Sequence, residues 1–215
     1  MDTLYAGLQR TTDATTEPVT GAEVREQMNV SGSESLITRN IKTARIKAEQ
    51  FMRRALITQS WTMTLDGWPG VAYEDFWQGA DPTVPSAAPA YVTMPYPQLQ
   101  SITSVTTYDQ DGDATAVTVD DYFYLDTTSE PGRLCLLAGQ GWPYDTRNYA
   151  QIVIVYVAGY GDASGDVPED IRSGIMMHCA WLCEHRGDEL NVDGQMGLAA
   201  SGAMQMYRPS RVIKV

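Results

Sequence analysis

The sequence predicts an α+β fold: two N-terminal helices, a central mainly antiparallel β-sheet region, a long C-terminal helix and an extended C-terminal tail. Three observations predict it. Apolar residues recur every three or four positions near both ends of the chain, which is typical of helices. In the middle they alternate with polar residues, which is typical of strands. The strands follow one another in one block, which excludes alternating β-α-β units.

Composition restricts the class of protein further. The 215 residues include 15 Lys and Arg against 27 Asp and Glu, which gives a formal net charge of -12. Nucleic-acid binding requires clustered cations, and a membrane helix requires roughly 20 consecutive apolar residues; the sequence predicts neither. The N-terminus lacks the basic and apolar regions of a secretory signal. Three cysteines are too few for a disulfide framework. We therefore expect a soluble globular protein.

The N-terminal part combines an arm with a short helix. Residues 1–17 are polar, rich in Thr and without apolar periodicity, so we predict a mobile arm or a partner-binding extension. Thr20 and Glu23 have the spacing of a capping box, which predicts a helix that ends near Met28.

A second, longer helix is predicted from about Glu34 to Ala55. Its apolar residues follow steps of three and four and trace one face. These residues are Ile37, Ile41, Ala44, Ala48, Phe51 and Ala55. The opposite face carries Arg39, Lys42, Lys47 and Arg53. We interpret this basic face as solvated rather than as a DNA contact.

The period changes to two at Thr58. Trp61, Met63 and Leu65 alternate with polar residues, which predicts a half-buried strand. Further strands are predicted over 91–94, 102–108, 115–119, 122–126, 133–137 and 151–158. The last one is apolar on both faces, so it should lie in the centre of its sheet.

Residues 67–90 interrupt the strands with Gly and Pro and form a predicted aromatic insertion. Loops of this length in compact domains usually have a function. Its large aromatic residues are Trp68, Tyr73, Phe76 and Trp77. They predict packing on the chain's own domain or contact with a partner.

The last long helix is predicted from about Pro168 to His185. Asp166 and Glu169 have capping-box spacing at its start. Its middle has almost no polar face, so we expect it to be covered by its own domain, by a neighbouring subunit, or by both. Residues 187–215 then form an extended tail.

No pattern predicts catalysis, a metal or a cofactor. The turn Asp109–Asp113 lacks the Gly and Glu of a calcium loop at the sixth and twelfth positions, and an Asp-Gly pair suits a hairpin better. His178, Cys179, Cys183 and His185 occupy diverging faces of one helix and cannot converge on one ion. Both histidines lie in this apolar helix, so a catalytic triad has little support.

Five segments, taken in order, resemble one family. They are residues 18–20 (PVT), 54–61 (RALITQSW), 129–134 (SEPGRL), 157–162 (VAGYGD) and 166–175 (DVPEDIRSGI). Their order and spacing over about residues 18–186 resemble the head–tail connector proteins, also called adaptor or head-completion proteins, of long-tailed bacteriophages and gene transfer agents.

The resemblance implies a structural virion protein at the head–tail interface, made in the host cytoplasm. Such proteins form a homo-oligomeric ring, commonly of twelve subunits, beneath the portal protein. They extend the DNA channel and attach the stopper or tail-terminator protein. The implied organisation is an arm (1–17), a connector domain (18–186, with the insertion 67–90) and a portal-docking tail (187–215).

Two sets of contact residues follow from the resemblance, and a third is expected in the aromatic insertion, which departs from the family pattern. Portal docking is expected at Met204, Met206, Tyr207, Arg208, Arg211, Val212 and Ile213. Packing between subunits is expected at Ile37, Ile41, Phe51, Ile175, Met176 and Trp181. Contact with the tail or stopper is expected at Trp68, Tyr73, Phe76 and Trp77. Removing residues 204–215 is expected to abolish portal binding and to leave the fold intact.

The charge agrees with a channel. Twelve copies at -12 each would carry a formal charge of -144, and a channel poor in cations lets DNA pass without specific binding. Two alternatives remain open. One is a stopper or tail-terminator protein, and the other is a soluble metal- or ligand-binding α+β module that uses the acidic turns.

Overall fold

Strands and helices segregate into two compact units in the computed structural model of the protein. The structure describes residues 5–28, 33–69, 90–143, 149–185 and 197–212. The β unit comprises residues 1–13, 60–95 and 99–158, and the helical unit comprises residues 14–59, 96–98 and 159–215. The predicted α+β class is confirmed.

The β unit contains two sheets. The strands are β1 (Tyr5–Thr12), β2 (Gln59–Leu65), β3 (Tyr91–Thr93), β4 (Leu99–Tyr108), β5 (Ala114–Val117), β6 (Phe123–Asp126), β7 (Arg133–Leu136) and β8 (Ile152–Ala158). One sheet has the order β1-β2-β8-β4-β5 and the other β3-β7-β6. The predicted central position of β8 is confirmed, and its residues alternate between buried and half-buried.

The N-terminal residues differ from the prediction. Residues 5–12 form β1, which pairs antiparallel with β2 as an edge strand of the larger sheet. Main-chain hydrogen bonds hold such a strand, so it needs no apolar alternation. The hydroxyls of Thr11 and Thr62 are 2.6 Å apart, and the Arg10 guanidinium lies 5.8 Å from the ring centroid of Trp61.

The helical unit begins with the predicted capping box. Helix α1 is Gly21–Met28, and the Thr20 hydroxyl accepts the Glu23 N–H at 3.2 Å. The Glu23 carboxylate accepts the Thr20 N–H at 2.7 Å. Hydrogen bonds from Thr20, with an ion pair to Arg172, hold the pKa of Glu23 below its usual range.

Helix α2 is Glu34–Met52, three residues shorter than predicted. It ends because Arg53 adopts a left-handed conformation, with φ of 55°. One more turn of helix, α3 (Val119–Tyr122), precedes β6 in the β unit.

Helix α4 (Glu169–Glu184) corrects the predicted cap. Pro168 precedes the helix, and the Asp166 carboxylate accepts the Ala163 N–H at 2.9 Å in the preceding turn. Glu169 pairs instead with Arg172. Asp166 therefore caps the turn that precedes α4 and does not cap α4 itself.

The same unit covers α4 on several sides. Helices α1, α2 and α5 (Ala203–Tyr207) all pack against it. Helix α5 lies where an extended tail was predicted, and Tyr207 is fully buried on Gly174. A Cβ at position 174 would lie 2.5 Å from the Tyr207 ring, so this close approach requires glycine.

A fully buried arginine organises the core of the helical unit. Arg45 donates to Glu17 at 2.8 Å and to Glu49 at 3.2 Å. Glu49 also accepts the Leu56 N–H at 3.3 Å and the Gln59 side-chain amide. The network therefore ties the N-terminal segment and the chain leading into β2 to α2.

Replacing Arg45 with Ala should destabilise the protein by about 3–5 kcal/mol, because Glu49 would keep a buried charge without its cation. Arg45→Lys retains the charge but loses the planar, bidentate geometry, so its loss should be smaller. Urea unfolding of the three proteins measures both effects. Equal stability of Arg45→Ala and wild type would contradict the role of this network.

Candidate assembly surfaces

The C-terminal segment (residues 197–212) is anchored to its own helical unit. The Tyr207 ring lies 6.3 Å from that of Phe51, and the Arg211 guanidinium lies 5.0 Å from the Phe51 ring centroid. The Val212 N–H donates to the Met52 carbonyl at 2.9 Å. The Arg54 side chain donates to the Ser210 carbonyl at 3.1 Å.

This anchoring changes the predicted docking set. Tyr207 belongs to the core, and Met204 and Val212 are half-buried. Met206, Arg208 and Arg211 are exposed, and Ile213 lies outside the described residues. Removing residues 204–215 would take Tyr207 out of the core, so the expectation that this truncation preserves the fold is corrected.

Most of the predicted inter-subunit residues lie in the unit's own core. Ile37, Ile41, Ile175 and Met176 are buried by the same chain, so they are not available to a neighbouring subunit. Phe51 is half-buried beneath Tyr207 and Arg211. Trp181 is half-buried and stacks on His185, with ring centroids 4.3 Å apart.

The predicted tail-facing loop is only partly described. Trp68 is buried in the β unit, stacks on Trp142 at 4.6 Å and lies 5.5 Å from Phe123. Its indole N–H donates to the Pro143 carbonyl. Trp68 therefore packs on its own unit rather than facing a partner. Tyr73, Phe76 and Trp77 lie outside the described residues.

The acidic turn after β4 is a hairpin turn. Its first carboxylate, that of Asp109, accepts the N–H groups of Asp111 at 3.0 Å and Asp113 at 2.8 Å. Gly112 has φ of 89°, which this turn requires. The Asp109 carboxylate thus stabilises the turn itself.

The thiols of α4 are packed in the core. The Asn40 amide lies 3.2 Å from the Cys183 sulfur, and burial raises the pKa of Cys179 to about 12. His178 is buried, whereas His185 is exposed. In the described ranges, no three His, Cys, Asp or Glu side chains are grouped as metal ligands would be. Nor does any helix described here have the length and apolarity to cross a membrane.

A polar turn in the β unit was not predicted as a feature. Asp126 accepts hydrogen bonds from Ser129 at 2.6 Å, Thr128 at 2.7 Å and Arg133 at 2.7 Å. These bonds, led by that of Ser129, hold the pKa of Asp126 well below its usual range. The turn contains most of segment 129–134. An Asp followed by Thr and Ser is typical of such a turn, so this pattern could have predicted it.

An open groove lies beside this turn. Its volume is about 330 Å³, and the Arg133 guanidinium lies 5.1 Å from the Tyr91 ring centroid. The lining residues are Tyr91, Thr93, Ser129, Glu130, Pro131 and Arg133. The groove therefore combines an aromatic ring with charged groups of both signs.

Solved structures with the same arrangement of strands and helices come from gene transfer agent (GTA) particles. A chain from the neck of an empty GTA particle, computed with C6 symmetry, is 18% identical with a TM-score of 0.71. A chain from the neck of a native GTA particle, computed with C12 symmetry, is 20% identical with a TM-score of 0.69. Both matches cover 97% of each chain.

The chain has the fold of these GTA neck chains. A chain from the virion of a native GTA particle matches as well, at 17% identity and a TM-score of 0.69, over 97% of this chain and 96% of that one. No protein-family model and no curated protein matches the chain. The fold predicted from the resemblance is thus confirmed by structure.

Tyr207→Ala should destabilise the protein by about 3–5 kcal/mol, because it removes a large ring from the core. Tyr207→Phe should retain wild-type stability, because the buried hydroxyl has no hydrogen-bond partner among the described residues. Thermal unfolding distinguishes the two variants. Wild-type stability of Tyr207→Ala would show that the C-terminal segment is not anchored through this ring.

Asp126→Asn should lower the melting temperature at neutral pH, because an amide is a weaker acceptor for Arg133 than a carboxylate is. A depressed pKa stabilises the fold above the unfolded value of about 3.9 and ceases to do so as pH falls towards the folded value. The difference from wild type should therefore stay constant from pH 7 to about pH 5 and shrink below about pH 4. Melting curves across this range measure it; a pH-independent difference would refute the electrostatic explanation.

Proposed function

We propose that this protein is a structural, non-catalytic subunit of a particle neck, an adaptor that forms a ring at the head–tail interface. One observation carries the proposal: the fold matches neck chains over 97% of both chains, in particles computed with C12 and C6 symmetry. The match spans both the β unit and the helical unit. The proposed ring has twelve copies and lies beneath the portal protein, and the C12 symmetry of one of the matched necks supports this number.

The exposed part of the C-terminal segment is the proposed portal-docking patch. Met206, Arg208 and Arg211 are exposed on a segment held by Tyr207 and Val212. A patch on an anchored segment loses little conformational entropy on binding, which favours docking. We thus propose docking by a patch on an anchored segment rather than by the extended tail that the sequence predicted.

The acidic charge suits a DNA channel. Each cation that contacts a phosphate adds affinity through counterion release, so a conduit benefits from few accessible cations. The chain carries 27 Asp and Glu against 15 Lys and Arg. We propose that DNA passes through the ring without specific binding.

The first test is negative-stain electron microscopy of the full chain, alone and mixed with the portal protein of the same particle. The expected result is rings stacked coaxially on portals. Rings that bind only tail-side proteins would favour the stopper or tail-terminator alternative. Monomers that ignore the portal, and that melt higher with calcium, would contradict a neck role and favour the ligand-binding module.

Docking is tested by the double variant Met206→Ala/Arg208→Ala. It should weaken co-sedimentation with portals by about tenfold or more, since exposed apolar and Arg anchors commonly carry 1–2 kcal/mol each at interfaces. Lys47→Ala removes a positive charge from another surface of the same unit and is the matched control. Equal co-sedimentation of both variants with wild type would place the portal contact elsewhere, without affecting the ring proposal.

A further inference from the structure

The outer face of α2 is a basic stripe with an apolar centre. At 100° per residue, Arg39, Lys42 and Ile46 fall within about 60° of one another, and Arg53 follows as the residue that ends α2. The three cations are exposed and Ile46 is half-buried. The opposite side of α2 carries Ile37, Ala44 and Ala48, which are buried in the core that α2 shares with α4, so the outer face points away from that core.

The acidic segment (residues 162–170) provides a surface of opposite sign in the same unit. It contains four acids and no Lys or Arg, and all four are exposed. These acids are Asp162, Asp166, Glu169 and Asp170. Asp166 and Glu169 have local partners in Ala163 and Arg172. The Asp170 carboxylate accepts the Ile171 N–H at 2.9 Å in the first turn of α4, so a variant that reverses Asp162 and Asp170 must also be checked for loss of fold.

A cyclic ring of more than two copies joins two different surfaces of one subunit, because each copy contacts its neighbours head to tail. Two surfaces of opposite charge fit this requirement, whereas a surface facing its own copy would repel itself. We propose that the outer face of α2 binds the acidic segment of the next copy. This inference rests on the proposed ring.

The apolar centre favours a protein partner for the outer face. Ile46 has cations on both sides, which resembles an interface with an apolar core and a polar rim. A phosphate backbone would contact the cations and leave Ile46 without an apolar partner. A second copy of this chain is therefore the occupant, and duplex DNA is the competing outcome of the test.

The test is charge reversal on each surface. Arg39→Glu/Lys42→Glu reverses the outer face, and Asp162→Lys/Asp170→Lys reverses the acidic segment. Each double variant should reduce ring formation by about tenfold or more, and combining all four should restore it, because close charge pairs at interfaces are strongly coupled. Native mass spectrometry and electron microscopy, with and without portal protein, measure the ring fraction.

The matched control is Lys47→Glu. Lys47 lies on the same helix, about 100° from Ile46, so reversing this one charge should leave the ring intact. The milder pair Arg39→Gln/Lys42→Gln and melting curves of every variant separate loss of assembly from loss of fold. The wild-type ring should also dissociate more readily as salt rises from about 0.1 to 1 M, because screening shortens the range of exposed charges.

The outcomes separate this inference from the proposed function. A wild-type chain that forms no ring, with or without portal, overturns both. A wild-type ring that tolerates both reversals overturns the inference alone. An intact Arg39→Glu/Lys42→Glu ring that retains less of a short DNA duplex than wild type would show that the outer face contacts DNA, which also overturns it.

Discussion

The helical unit depends on the burial of one charge. An arginine in an apolar core must have anionic partners, because an isolated buried ion costs several kcal/mol. Arg45 finds them in Glu17 and Glu49, and the contacts that leave the helix, from Arg45 to Glu17 and from Glu49 to Gln59, fix the rotation of α2 about its axis. Any other rotation of α2 would leave Arg45 without its anionic partners or expose the apolar residues beside it. The buried network therefore also determines that Arg39 and Lys42 point outward.

Elements with local signals were predictable from sequence. The capping box at Thr20, the alternation along β2 and the apolar character of β8 each depend on neighbouring residues, and each forms as expected. Strand β1 was not predicted, because main-chain hydrogen bonds to β2 stabilise it and residues 5–12 show no alternating pattern of apolar residues. Helix α5 was not predicted, because its five residues are too few to show a helical periodicity.

The candidate contact residues show what apolarity can and cannot predict. A helix with apolar residues on several faces must be covered, but the pattern does not say which part of which chain covers it. For α4 the cover is α1, α2 and the C-terminal segment of the same chain, so Ile175 and Met176 are core residues. Trp68 is likewise covered by its own chain, because Trp142 and Phe123 pack on it within the β unit. The fold was predictable from five short segments because together they sample both units.

Once the apolar surfaces are assigned to the core, charge is what distinguishes the remaining faces of the helical unit. In a ring built as proposed, the contacts between copies would enclose the cations of α2 with acids of the neighbouring copy. Those cations would then be unavailable to phosphates, whereas acids outside the contacts would stay in contact with solvent. DNA affinity through counterion release depends on accessible cations rather than on net charge alone. Assembly by opposite charges would therefore make the ring less adhesive to DNA than its separate subunits are, which a channel for DNA requires.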